Sequence, residues 1–160
     1  MDRLDVHAAA ALHNIELRPL SCAPGDPDSR AYFCSGDGKS LFSAYTLRLP
    51  TSFLIIFNDA HEETRIASSV AHELSHFLLL HVGTPPLMGD GQRTWDGSLE
   101  SEASRLGGHL LVPDAVGRWA ANSGVSLAAA AAKYGVSPAF MQWRMGASGG
   151  TTIARRRTPR

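Results

Sequence analysis

The strongest constraint on the fold is the stretch between residues 59 and 86. Asp59 followed three residues later by Glu62 has the form of a capping box, and Gly83 with Pro85 and Pro86 supplies a stop, so the spacing predicts one long helix between them. Ile66, Val70, Leu74, Phe77 and Leu78 recur at three- and four-residue steps, and Ala67, Ala71, Leu79 and Leu80 widen the apolar surface. A helix with so little polar surface belongs in the middle of a protein. With 160 residues and 44% hydrophobic content, the chain suffices for a single domain wrapped around it.

The remaining segments supply that wrapping. Residues 4–13 are alanine-rich and read as a short helix, and Ile15, Leu17 and Leu20 suggest a strand. Residues 22–40 carry Pro24, Gly25, Asp26, Pro27, Gly36 and Gly38, a density of turn formers that predicts a loop holding at most a short strand over 32–34. Residues 41–49 alternate imperfectly, and 52–58 form a nearly continuous apolar run expected of a buried strand. After a loop over 85–97, Ser98 can cap a helix running to Val112, Pro113 can open another to Ala121, and 126–134 and 137–145 read as two short helices joined at Gly135.

The expected fold class is therefore α+β: a small, mostly antiparallel sheet packed on the central helix, followed by a C-terminal helical bundle. A single domain over 1–147 is expected, with a core over about 1–122, a helical pair over about 123–147 and a disordered basic tail over 148–160.

Fifteen basic residues balance fifteen acidic ones, which points to no polyanionic partner. The first twenty residues interleave charges with apolar residues, unlike a secretion signal, and no apolar run is long enough to span a bilayer, so a cytoplasmic location and no membrane partner are expected. Cys22 and Cys34 then read as free thiols.

The central helix also carries His72-Glu73-Leu74-Ser75-His76. At about 100° per residue, His72 and His76 lie about 40° apart on one face, one turn from each other, so both rings can reach one metal ion. Glu73 is offset sideways, placed to hold a water rather than to complete the same face. That is the arrangement of a hydrolytic zinc site, in which Zn²⁺ brings the pKa of water down to roughly 7 and Glu73 acts as general base. A chance pair of histidines is the bland alternative, but buried histidines without partners are uncommon, and a glutamate beside them in an apolar stretch is costly to desolvate.

A third protein ligand is needed. His81 would lie about 180° from His72 if the helix continued, which points it away. Glu100 and Glu102 on the next helix are about 200° apart, so only one can face the metal. Glu102 shares a face with Leu106 and Leu110, whereas Glu100 falls with Ser104, Gly107 and Leu111, so periodicity favours Glu102. Both can equally be solvated first-turn carboxylates. His109, about 20° from Glu102 and two turns along, is a candidate second-sphere or oxyanion-stabilising residue, or simply a partly buried histidine packed with the leucines. Gly107-Gly108 inside a helix costs about 1 kcal/mol per glycine, which suggests close approach of a neighbouring backbone, with the His72 helix the natural neighbour.

The stretch AHELSHFLLLH, then ESEASRLGGHLLVP, then KYGVSPAFMQWRM resembles the ImmA/IrrE family of metallopeptidases, with its AHELGH helix and later EAxxFAxxLLMP helix. The likeness covers roughly residues 53–146. It implies metal ligands His72, His76 and Glu102, Glu73 as general base, and Zn²⁺ as cofactor, with Mn²⁺ or another divalent metal as a substitute. Ser75 replaces the usual glycine, Leu106-Gly107 replaces Phe-Ala, and His109 stands where an acidic residue is common. The family also implies an endopeptidase whose protein substrate is a repressor-type transcription regulator or an antitoxin-like partner; a non-catalytic protein that sequesters such a regulator is the alternative.

The two last helices could pass for a DNA-binding helix-turn-helix, but Lys133 and Arg144 are their only basic residues. A packing role is expected there, and direct nucleic-acid binding is not. Arg155, Arg156 and Arg157 read as a solvated basic end.

Overall fold

A computed structural model of the chain describes residues 2–81 and 97–152. The described elements are α1 (Val6–Leu12), β1 (Ile15–Pro19), α2 (Pro27–Cys34), β2 (Ala44–Arg48), β3 (Phe53–Phe57), α3 (Glu63–Leu78), α4 (Gly97–Leu111), α5 (Asp114–Asn122), α6 (Leu127–Tyr134) and α7 (Pro138–Ala147). The fold is α+β, as expected. None of the described helices is long and apolar enough to cross a membrane.

The sheet has the order β1-β3-β2. Its two pairings differ: β1 runs parallel to β3, with Ile15 opposite Phe53, and β2 runs antiparallel to it, with Thr46 opposite Ile55. The apolar run 53–57 therefore occupies the centre of a mixed sheet, with Leu54, Ile55 and Phe57 buried. The sheet, α1, α3 and the last three helices share one core, in which Val70, Ala71, Leu74, Leu111, Val112 and Met141 are buried.

The supposed loop over 22–40 holds α2. Asp26 caps it by accepting from Ser29 N at 2.8 Å, and Pro27 occupies its first turn. Asp-Pro is a turn signal and a helix-start signal alike, and the cap decides. Asn58, fully buried, donates through Nδ2 to the carbonyls of Phe33 and Phe42 and accepts from Ala60 N, tying the end of α2 and the approach to β2 to the start of α3. Asp59 does not cap α3: its carboxylate takes the amide and hydroxyl of Ser21, at 3.0 and 2.6 Å, and the helix starts four residues later. Burial opposes its charge, yet those Ser21 bonds hold its carboxyl below the usual range.

The helix ends earlier than its apolar pattern. The amide of Leu80 bonds the Phe77 carbonyl and that of His81 the His76 carbonyl, at 3.0 and 2.9 Å, with Leu80 in the left-handed region at φ 59. This is a Schellman closure, normally made by glycine. Helix α6 ends the same way with Gly135, at φ 63. Leucine in that conformation carries a steric cost of roughly 1 kcal/mol, and its side chain is left in solvent.

Helix α4 packs on α3 through small residues. Its buried positions are Ala103, Gly107, Gly108 and Leu111, not the leucines at 106 and 110. A Cβ on Gly107 would meet the Ala71 carbonyl at 3.1 Å and the His72 amide nitrogen at 3.2 Å, whereas one on Gly108 would strike the Trp143 ring at 2.5 Å. The glycine pair thus admits the α3 backbone on one side and an α7 indole on the other. Behind it, Arg144, 4% exposed, donates through Nε to the Val112 carbonyl and through Nη2 to Asp114, at 2.9 and 2.6 Å.

Three expected outcomes follow from these contacts, each readable by urea unfolding. Arg144→Ala should destabilise by about 3 kcal/mol, because it strands the Val112 carbonyl and Asp114 where the guanidinium had satisfied both. Gly107→Ala should cost about 1–3 kcal/mol by overpacking against the Ala71 carbonyl. Leu80→Gly should be stabilising or neutral, within about 1 kcal/mol, as relief of the left-handed strain offsets the added backbone entropy.

Candidate metal centre

The two histidines lie where the 3.6-residue period puts them, one turn apart on the face of α3 that looks at α4. Their Nε2 atoms are 3.0 Å apart. The carboxylate facing them is Glu100, whose Oε2 is 3.1 Å from His72 Nε2 and whose Oε1 is 3.5 Å from His76 Nε2. Among the described residues, His72, His76 and Glu100 form the group of three side chains able to hold one metal ion. Tetrahedral zinc with bonds of 2.0–2.2 Å sets its ligand atoms about 3.3–3.5 Å apart. The imidazole nitrogens, 3.0 Å apart, and the Glu100 oxygens, one 3.1 Å from His72 and the other 3.5 Å from His76, lie near that spacing and partly inside it, so the three side chains are close enough to share one ion.

Burial lowers the His76 pKa below the ordinary imidazole value, with His72 adding to the effect and Glu73 and Glu100 opposing it. The shift favours the neutral ring, the form that offers a lone pair. On the other side of His72, Ser104 Oγ lies 3.3 Å from Nδ1, so α4 contacts both of that residue's ring nitrogens.

The carboxylate is not the one that periodicity favoured. Glu102 is 58% exposed and places Oε2 3.3 Å from His81 Nε2, away from the His72–His76 pair. Periodicity favoured it by turning Leu106 and Leu110 inwards, but the buried side of α4 is made of small residues, and Gly107 is the one set against the Ala71 carbonyl and the His72 amide. Glu100 is one turn before Ala103 on that buried side. The glycine pair was the signal in the sequence that pointed there.

His81, expected to face away, returns to the site because the helix closes at Leu80, which sets its Nδ1 3.2 Å from His76 Nδ1. His109 lies elsewhere. It is half-exposed at the last turn of α4, its Nδ1 3.5 Å from Asp114, so its nearness to Glu102 on a helical wheel does not carry it to the histidine pair.

Glu73 turns towards the sheet. Thr46 of β2 donates from Oγ1 to Glu73 Oε2 at 2.6 Å, a contact no sequence pattern indicated. Between β2 and α3 runs a cleft of about 210 Å³ lined by Ser43, Ala44, Ser68, Ser69, His72 and Glu73. It opens beside the imidazole and carboxylate that hydrolytic chemistry needs. A larger hollow of about 470 Å³, lined by Arg3, Asp5, His7, Phe57 and Glu63, lies by the first turn of α3 and does not include this site. Strand β3 is central in the sheet, and β2 is the edge beside Glu73. Cys22 and Cys34 are free thiols. The loop at 85–96 and the three arginines at 155–157 lie outside the described residues.

Searches of curated proteins and of solved structures returned no significant match. A family model does match, over residues 25–145, which takes in the strand of Thr46, the histidine pair, both glutamates of α4 and the C-terminal helices through Met145. The chain belongs to the M78 peptidase family, as an IrrE N-terminal-like domain.

Proposed function

We propose that the chain is a zinc-dependent endopeptidase that cleaves a regulatory protein, a transcriptional repressor or an antitoxin-like partner. The observation that carries the metal reading is the convergence of His72, His76 and Glu100, close enough to share one ion, with Glu73 alongside. His72, His76 and Glu100 would hold the ion, Zn²⁺ or another divalent metal. When bound, it supplies a Lewis acid that polarises the scissile carbonyl and makes water nucleophilic near neutral pH.

Glu73 then takes a proton from that water and delivers it to the departing amine, so that one water and one amide give a carboxylic acid and an amine. The Thr46 hydroxyl occupies one oxygen of Glu73 and fixes the plane of its carboxylate. A substrate laid as an extra strand on the outer edge of β2 would have its backbone beside the cleft, a mode in which main-chain hydrogen bonds supply affinity without demanding a sequence. Family membership supports peptide hydrolysis; the regulatory substrate rests on resemblance to ImmA/IrrE proteins.

Metal content and proteolysis test separate parts of this reading. Purified protein should hold one equivalent of zinc, Glu100→Ala should lose it, and Glu73→Ala should retain it. On co-expression with a candidate repressor-type regulator, wild type should deplete the intact regulator and Glu73→Ala should not. Equal amounts of intact regulator with both would rule out Glu73-dependent proteolysis, and undepleted regulator bound to the chain would favour sequestration instead.

A further inference from the structure

Two side chains beside the site have no part in the mechanism above. His81 is 8% exposed in its side chain, and its two ring nitrogens face two different residues: Nδ1 is 3.2 Å from His76 Nδ1, and Nε2 is 3.3 Å from Glu102 Oε2. A carboxylate only accepts hydrogen bonds, so the 3.3 Å approach of Glu102 favours the His81 tautomer with its proton on Nε2. In the neutral ring that leaves Nδ1 bare, able only to accept. The proton between the two imidazoles must then sit on His76 Nδ1, which leaves His76 Nε2 with its lone pair towards His72 and Glu100.

We propose that His81 and Glu102 are positioning residues: Glu102 fixes the tautomer of His81, and His81 fixes the tautomer and ring orientation of His76 for metal binding. This rests on the reading of His72, His76 and Glu100 as ligands. Such partners behind a ligating histidine orient its ring and raise its basicity. The backbone serves the same end. The closure at Leu80, which bonds the His81 amide to the His76 carbonyl at 2.9 Å, folds His81 back over the residue it orients. A helix continued past Leu78 would turn His81 to the opposite face.

The test is a chelator-competition titration of Zn²⁺ on the purified full-length protein, with nitrogen-15 NMR of the imidazole rings in the metal-free protein. Glu102→Ala and His81→Ala should keep one equivalent of zinc but bind it roughly tenfold to a hundredfold more weakly. Glu102→Gln, whose amide oxygen accepts the same bond, should recover most of the loss. The double variant should bind no more weakly than His81→Ala, because Glu102 acts only through His81. In the NMR spectra the wild type should show the His81 proton on Nε2, and Glu102→Ala should lose that preference. Glu102 is largely exposed, so its variants should unfold in urea as wild type does, which separates positioning from a structural effect.

Wild-type zinc affinity in both alanine variants would overturn this role while leaving the three ligands standing. Loss of the whole equivalent in Glu102→Ala, with Glu100→Ala still loaded, would overturn the ligand set and this role together. So would a wild-type protein that binds no zinc.

Discussion

The close contact between α3 and α4 is the constraint on which the site depends. Zinc-sized convergence of side chains from two helices requires their backbones to approach more closely than leucine or phenylalanine would permit. Ala71, Ala103 and Gly107 make that approach possible, and the backbone of His72 itself lies against Gly107. The cost of glycine inside a helix is accepted where a methyl group would push Glu100 away from the histidines. The same interface that packs the core thus sets how His72, His76 and Glu100 converge, and it leaves the larger residues Leu106 and Leu110 at its margin.

The rest of the fold braces the two helices. Asn58 ties the turn before α3 to the end of α2 and the approach to β2, and Arg144 ties α7 to the C-terminal end of α4 through the Val112 carbonyl and Asp114. Both are buried polar groups whose donors are directed to carbonyl or carboxylate oxygens, so they give direction to a core that apolar packing alone would leave less specific. The C-terminal helices have the outline of a helix-turn-helix, but their aromatic and basic residues are turned to this bracing: Trp143 fills the space left by Gly108, and Arg144 is internal.

Charge is placed with similar economy around the metal centre. Glu100 faces two imidazoles, Glu73 is held by a threonine on the sheet, and Glu102 is taken up by His81. Three carboxylates within about one helix turn of the histidines therefore have three different partners. An unpaired carboxylate is disfavoured where it is partly buried, so these partners explain how Glu73 and Glu100 are accommodated at the α3–α4 face, whereas Glu102 is largely exposed.

Much of this could be read from residue order. The apolar period located α3 and its central place; the four-residue spacing put His72 and His76 on one face with Glu73 beside them; serine caps located α6 and α7; and the run at 53–57 was recognisable as a strand. These are local properties, set by backbone period and by side chains bonding amides two or three residues away. The tertiary structure decided the rest. Which of Glu100 and Glu102 meets the histidines depends on how far apart two helices sit, which in turn depends on pairs of small residues distant in sequence. That His81 rejoins the site depends on a leucine accepting a left-handed turn, a conformation its side chain disfavours and only the surrounding packing can hold. Thr46 reaches Glu73 because β2 lies at the sheet edge over α3, a placement no pattern within β2 encodes.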